Sequence, residues 1–134
     1  MHPRRCADRR RGAAVAVILV VEDDSDVAGL IEHRLSASGH TVTVAGDGIE
    51  GLAAAHEIRP DVVILDWMMP RRNGVEVCED LRAEIAFDGV KIIMLTARAQ
   101  AADIERAYTA GVDDYMTKPF SPRELLARVE ALVG

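Results

Sequence analysis

Val62-Val63-Ile64-Leu65-Asp66-Trp67-Met68-Met69-Pro70 sets four aliphatic residues and then one carboxylate ahead of a loop that runs to Asn73-Gly74. A β-branched and aliphatic run without polar alternation suits a strand buried on both faces, and the C-terminal ends of such strands line the rim where open α/β sheets form their sites. Asp66 falls at that rim. Standing alone it would read as an aspartate that starts a turn. Three other strand-like runs, however, end in residues suited to a phosphoryl group and a metal: Glu22-Asp23-Asp24, Thr96-Ala97 and Lys118-Pro119.

The 134 residues, 49% apolar, are enough for one domain with its own core. Residues 1–13 read as a basic, disordered arm or start-site extension, and residues 14–134 as the folded domain. Five arginines against Asp8 make the arm +4; with a total of −6, the remainder carries −10. A body this acidic is a poor nucleic-acid binder by itself. Cys6 and Cys78 form no metal or redox spacing, and the histidines at 2, 33, 40 and 56 are scattered, so the cysteines read as reduced and the chain as cytoplasmic. The apolar run Ala13 to Val21 ends in three acids without a small-residue cleavage site and is short for a membrane span.

Strand and helix alternate along the chain. Val15 to Val21 is a first strand, and Ser25 caps a helix to about Ser38, stopped by Gly39. Thr41 to Ala45 alternates as an edge strand does, and Asp47 caps a helix from Gly48 to about Ile58, which Pro60 prevents from continuing. After the Asp66 loop, a helix from about Val75 to Ile85 places Cys78, Leu81 and Ile85 on one stripe. Lys91 to Leu95 is a fourth strand. An alanine-rich helix from about Gln100 to Ala110 ends at Gly111, and its weak amphipathicity makes it the helix expected to hold its position least firmly. Val112 to Lys118 is a fifth strand. Ser121-Pro122-Arg123-Glu124 then combines a capping box with proline at the first helical position. Five such βα units imply a parallel sheet with helices on both faces, so all strand C-termini share one edge and the acids, Asp66, Thr96 and Lys118 converge there.

These residues resemble the receiver domains of two-component response regulators, both the chemotaxis-type single receivers and those of winged-helix transcriptional regulators. The resemblance covers about residues 16 to 133. It rests on Val20-Val21-Glu22-Asp23-Asp24, Leu65-Asp66-Trp67-Met68-Met69-Pro70, Asn73-Gly74, Leu95-Thr96-Ala97-Arg98, Gly111-Val112-Asp113-Asp114-Tyr115 and Lys118-Pro119-Phe120. It implies a flavodoxin-like, doubly wound sheet in the order 2-1-3-4-5 with five helices, an order given for a member of this family in general accounts of the fold. It further implies that Asp66 accepts a phosphoryl group from a sensor histidine kinase or histidine phosphotransfer protein, and that Mg2+ is held by Glu22, Asp23, Asp66 and the carbonyl of Met68. Thr96, the Ala97 backbone and Lys118 are the implied phosphoryl contacts, Thr96 and Tyr115 the implied switch, and Met68 and Arg98 the implied modulators of hydrolysis. A cis bond before Pro119 is implied as well.

The chemistry of each residue type agrees. A carboxylate attacks phosphorus to form a reversible acyl phosphate, and hard oxygen ligands suit Mg2+. Lys118 offers an ammonium and Thr96 a hydroxyl to phosphate oxygens, while Asp24 reads as helix-entry charge. Neither Met68 nor Arg98 is a general base at neutral pH, so slow self-dephosphorylation is expected. A phosphatase of the haloacid dehalogenase type would carry an acid where Met68 stands, and a flavodoxin-like cofactor carrier would lack the phosphate-repelling Glu22-Asp23-Asp24. A receiver reduced to a phosphorylation-independent interaction module is the remaining alternative. The implied switch surface controls an output partner or domain, and the chain reads either as a stand-alone receiver or as part of a longer regulator. Arg106, Asp113, Asp114, Glu124 and Arg128 form a candidate surface for a phosphorylation-dependent homodimer, although Ile104 stands where dimerising relatives carry a basic residue.

Overall fold

A computed structural model describes residues 15–134. The basic arm and Cys6 lie outside the described residues. In order, the chain forms β1 (Val17–Val21), α1 (Ser25–Ala37), β2 (Thr41–Ala45), α2 (Gly48–Ile58), β3 (Val62–Leu65), α3 (Gly74–Arg82), a 3-10 turn (Ile85–Phe87), β4 (Lys91–Thr96), α4 (Ala101–Ala110), β5 (Asp114–Thr117) and α5 (Pro122–Val133). Every pairing is parallel and the strand order is β2-β1-β3-β4-β5. Among the described residues no helix is long and apolar enough to cross a membrane.

The continuous apolar strands bury both faces, and their two-residue period divides the core into two layers. Leu19, Val21, Val63, Leu65, Ile92 and Met94 face one way and pack with Ala55 of α2, Cys78 and Leu81 of α3, and Ala107 of α4. Ile18, Val20, Ile64, Ile93 and Leu95 face the other way, onto Ile31 and Leu35 of α1 and Leu125 and Val129 of α5. Edge strand β2 exposes Thr41 and Val44 and half-buries Val42 and Thr43, so its exposure follows its edge position on both faces rather than the alternation expected of one wetter face. Glycine is required where α2 starts, because a Cβ on Gly48 would collide with the carbonyl oxygen of Arg72. This contact joins the start of α2 to the β3–α3 loop.

Several boundaries differ from the sequence reading, each for a local reason. Asp24, not Ser25, caps α1: its Oδ1 accepts from the N–H groups of Asp26 and Val27 at 3.0 and 3.2 Å. The capping box expected at α5 is half made, since Ser121 Oγ accepts from Glu124 N at 3.2 Å while the Glu124 carboxylate turns to Arg128 at 2.8 Å. The full box stands at α3, where Asn73 Oδ1 accepts from Glu76 N at 2.9 Å and Glu76 Oε1 accepts from Asn73 N at 3.0 Å. That helix stops at Arg82, and Ile85 is 86% exposed because Phe87 enters the core from the 3-10 turn in its place. Arg82 fixes this exit by donating to the carbonyls of Gly111 and Phe87 at 2.9 and 3.1 Å and to Asp113 at 2.8 Å. β5 begins only at Asp114, because the Val112 N–H closes the end of α4 on Ala107 O. The Lys118–Pro119 bond is cis.

Cys78 lies in the core with its thiol donating to Ala110 O at 3.3 Å, and burial pushes it up to about 11. A thiolate is the reactive form, so Cys78 is expected to resist a disulfide reagent in the native Cys6→Ser chain and to react once urea unfolds it. Fast native labelling would show that α3 opens far more readily than its packing implies.

Candidate functional site

The rim residues meet because parallel neighbours end together. Val21 pairs with Leu65 and Leu65 with Met94, and one step beyond, Asp66 N donates to Val21 O at 3.0 Å while Glu22 N donates to Ala45 O at 3.0 Å. Carboxylate oxygens of Glu22, Asp23 and Asp66 lie within 4.8 Å of one another. Glu22 is 3% and Asp66 8% exposed, whereas Asp23 reaches solvent. Lys118 arrives from the end of β5 and places Nζ 2.7 Å from Glu22 Oε1 and 3.0 Å from Asp66 Oδ2. One ammonium therefore pairs with two carboxylates in a cluster of three.

Electrostatics follow from that ratio. Burial raises the Glu22 carboxyl above its ordinary range and the Asp66 charge adds to this, against the hydrogen bond from Lys118. Burial works against the Lys118 ammonium, but its bonds to Glu22 and Asp66 prevail and hold it above the usual lysine value. Three hard oxygens with incomplete charge compensation form a donor set for a small divalent cation. Asp24 stays outside the cluster, as a cap.

The β3–α3 loop is fixed from several sides. A Cβ on Gly74 would strike the Asp66 carbonyl oxygen, and Gly74 N donates to Trp67 O at 2.9 Å. Met68 N approaches Asp66 Oδ1 at 3.4 Å, and the Met68 side chain is 60% exposed at the mouth of the site. On the far wall Thr96 is fully buried and its Oγ1 accepts the Arg98 N–H at 3.3 Å, while Ala97 is exposed. Tyr115 is nearly buried and its hydroxyl donates to Arg98 O at 2.7 Å. Arg98 lies across the mouth with its guanidinium carbon 4.4 Å from the Trp67 ring centroid and Nη2 2.7 Å from Asp103 Oδ1. The sequence reading missed this Trp67–Arg98–Asp103 contact; adjacent β3 and β4 ends were the available signal, but side-chain direction was not.

The charges expected to face a second copy already have partners within the chain. Arg106 pairs with Glu79 of α3 at 2.8 Å, Asp113 with Arg82, and Arg128 with both Asp114 and Glu124 at 2.7 and 2.8 Å. They lie on the α4–β5–α5 side, beside a cleft of about 310 Å³ lined by Ile104, Tyr108, Tyr115 and Phe120.

The fold and the acidic rim define a doubly wound α/β domain built to hold anionic chemistry at strand ends. Residues 18–130 match the family of the response regulator receiver domain, and the chain belongs to that family. It is 46% identical over 114 residues to the DNA-binding response regulator MtrA of Mycobacterium tuberculosis, a match covering 85% of this chain and 49% of that protein. The chain thus spans about half the length of the curated relatives it matches. Among solved structures, the Vibrio cholerae chemotaxis protein CheY4 superposes with a TM-score of 0.84 at 31% identity, covering 89% of this chain and 99% of that one. The receiver domain of the sensor histidine kinase PA1611 from Pseudomonas aeruginosa gives 0.82 at 35% identity, covering 90% and 99%, and that structure holds a magnesium ion in its active-site cleft.

Proposed function

We propose that Asp66 is the phosphoacceptor of this receiver domain, and that the phosphoryl donor is a phosphohistidine on a sensor kinase or phosphotransfer protein. The observation that carries the reading is the buried carboxylate of Asp66 held at 3.0 Å by Lys118 beside two further acids. An Asp66 oxygen attacks phosphorus, the phosphorus–nitrogen bond breaks with its electron pair leaving on the imidazole, and an acyl phosphate remains. Glu22, Asp23, Asp66 and the Met68 carbonyl are the ligands we assign to Mg2+, which when bound supplies charge neutralisation for the anionic oxygens. Lys118 then exchanges its contact with Asp66 for a phosphate oxygen. Thr96 turns its hydroxyl to the same group, the Ala97 N–H contacts it, and Tyr115 moves into the space Thr96 leaves. This biases the α4–β5–α5 side, and with it an output domain or protein and a phosphorylation-dependent pairing of two copies. Met68 and Arg98 cover the mouth without offering a general base, so the acyl phosphate is long-lived.

Intact-mass measurement with acetyl phosphate and Mg2+ tests the assignment. One added phosphoryl group is expected on the native chain and none on Asp66→Asn; the same adduct is expected to decay several-fold faster in Met68→Asn with Arg98→Glu. A full-strength adduct on Asp66→Asn would remove Asp66 from its role, and unchanged decay in the double variant would remove the shielding.

A further inference from the structure

Arg98 touches more of the rim than any proposed role requires. Its N–H donates to Thr96 Oγ1 at 3.3 Å, its carbonyl accepts from Tyr115 Oη at 2.7 Å, and its guanidinium stacks 4.4 Å from the Trp67 centroid. The same guanidinium donates to Asp103 Oδ1 at 2.7 Å and reaches Met68 Sδ at 3.7 Å. Trp67 directly follows Asp66, and Met68 N lies 3.4 Å from Asp66 Oδ1, so the guanidinium touches the two residues that follow the nucleophile. Asp103 sits in the first turn of α4, whose N-cap Gln100 makes no side-chain capping bond. The start of α4 is thus tied to the β3–α3 loop through one side chain.

We propose that Arg98 is a latch: at rest it fastens the first turn of α4 to Trp67 through Asp103, and an anion placed on Asp66 draws it off both. The latch rests on the phosphoacceptor reading of Asp66. A phosphoryl group, with several anionic oxygens, is a stronger partner for a planar five-donor cation than the single carboxylate of Asp103, 17% exposed, and the face of an indole are together. The backbone points the same way. When Thr96 turns its hydroxyl to the phosphoryl group it releases the Arg98 N–H, and the Tyr115 hydroxyl, bonded at rest to the carbonyl of the same residue, moves with its ring. Arg98 therefore joins the hydroxyl switch, the aromatic switch and the α4 terminus in a single residue.

The arginine Nε–H signal of Arg98 reads the latch directly, because a guanidinium over an indole face is ring-current shifted, and Trp67→Phe identifies that shift by shrinking it. With Mg2+ and beryllofluoride, whose binding is followed separately by fluorine NMR, the Arg98 signal is expected to leave its shifted position, whereas Mg2+ alone leaves it in place. Removing the resting partner in Asp103→Asn is expected to tighten beryllofluoride binding about two- to fivefold, the scale of a partly exposed ion pair, and to have no such effect in an Arg98→Ala background. Bound fluoride with an unmoved Arg98 signal, movement with Mg2+ alone, or an unchanged affinity in Asp103→Asn each overturns the latch and spares the phosphoacceptor reading. No bound fluoride on the native chain overturns both.

Discussion

Asp23→Asn is expected to make the metal-free protein more stable than the native chain and to abolish its stabilisation by millimolar Mg2+. Of three carboxylates within 4.8 Å, Lys118 pairs with Glu22 and Asp66, so the rim retains net repulsion that folding imposes and a divalent cation relieves. Like charges at this separation repel by about 1–3 kcal/mol at an effective dielectric near 20 once the lysine is counted, and neutralising Asp23 removes much of that. Glu22 sets the pH dependence. Its carboxyl is raised above 4.5 by burial, so the folded chain holds its proton to higher pH than the unfolded chain. Stability therefore falls as pH rises from near 4.5 through the raised value and stays lowered above it. Glu22→Gln is expected to flatten that slope. Urea titrations with and without Mg2+ decide the matter; an Asp23→Asn chain less stable than native in metal-free buffer would mean that the acids are not the source of strain.

Gly74→Ala is expected to destabilise the domain by about 2–3 kcal/mol and to abolish phosphorylation, although residue 74 carries no reactive group. Its added methyl meets backbone rather than a pliable side chain: the Asp66 carbonyl oxygen, and the Asp66 carbonyl carbon and Trp67 Cα at 3.0 Å. Relief requires the start of α3 to move away from the very peptide that carries the nucleophile. Gly29→Ala is the matched control, since Gly29 lies in the exposed interior of α1 with nothing within 4 Å of the new Cβ. It is expected to stabilise by about 0.5–1 kcal/mol through helix propensity alone. Equal midpoints for the two variants in urea would show that the loop tolerates displacement and that its close packing is incidental.

The strands were legible in the sequence because parallel sheet strands buried on both faces leave unbroken aliphatic runs, and Val62 to Leu65 or Lys91 to Leu95 admit few other readings. Helix ends were less legible, since several residues near a terminus can cap it and the choice depends on where the chain enters. Asp24 and Ser25 were adjacent candidates, and the box at Asn73 and Glu76 went unread while the one at Ser121 was over-read. Ile85 shows the limit of periodicity: it continues the stripe of Cys78 and Leu81 on paper, but the helix has ended at Arg82. Convergence of the rim followed from topology alone. What topology does not carry is the partner of each charge, and so the pairing of Arg106 with Glu79 or of Arg98 with Asp103 awaited side-chain positions.

The two walls of the rim differ in compliance. The β3–α3 loop is pinned by Gly48 and Gly74, by the Asn73–Glu76 box, by Arg72 gripping Asp80 and by Arg71 facing Asp47 at 3.5 Å. Opposite it, α4 starts without a side-chain cap, and its first turn is tied to the rim through Arg98. When a force acts between a stiff support and a soft one, nearly all the displacement appears on the soft side. A perturbation at Asp66 is therefore given a direction by unequal anchoring, and substitutions that loosen the stiff wall should blunt the response as surely as those that stiffen the soft one.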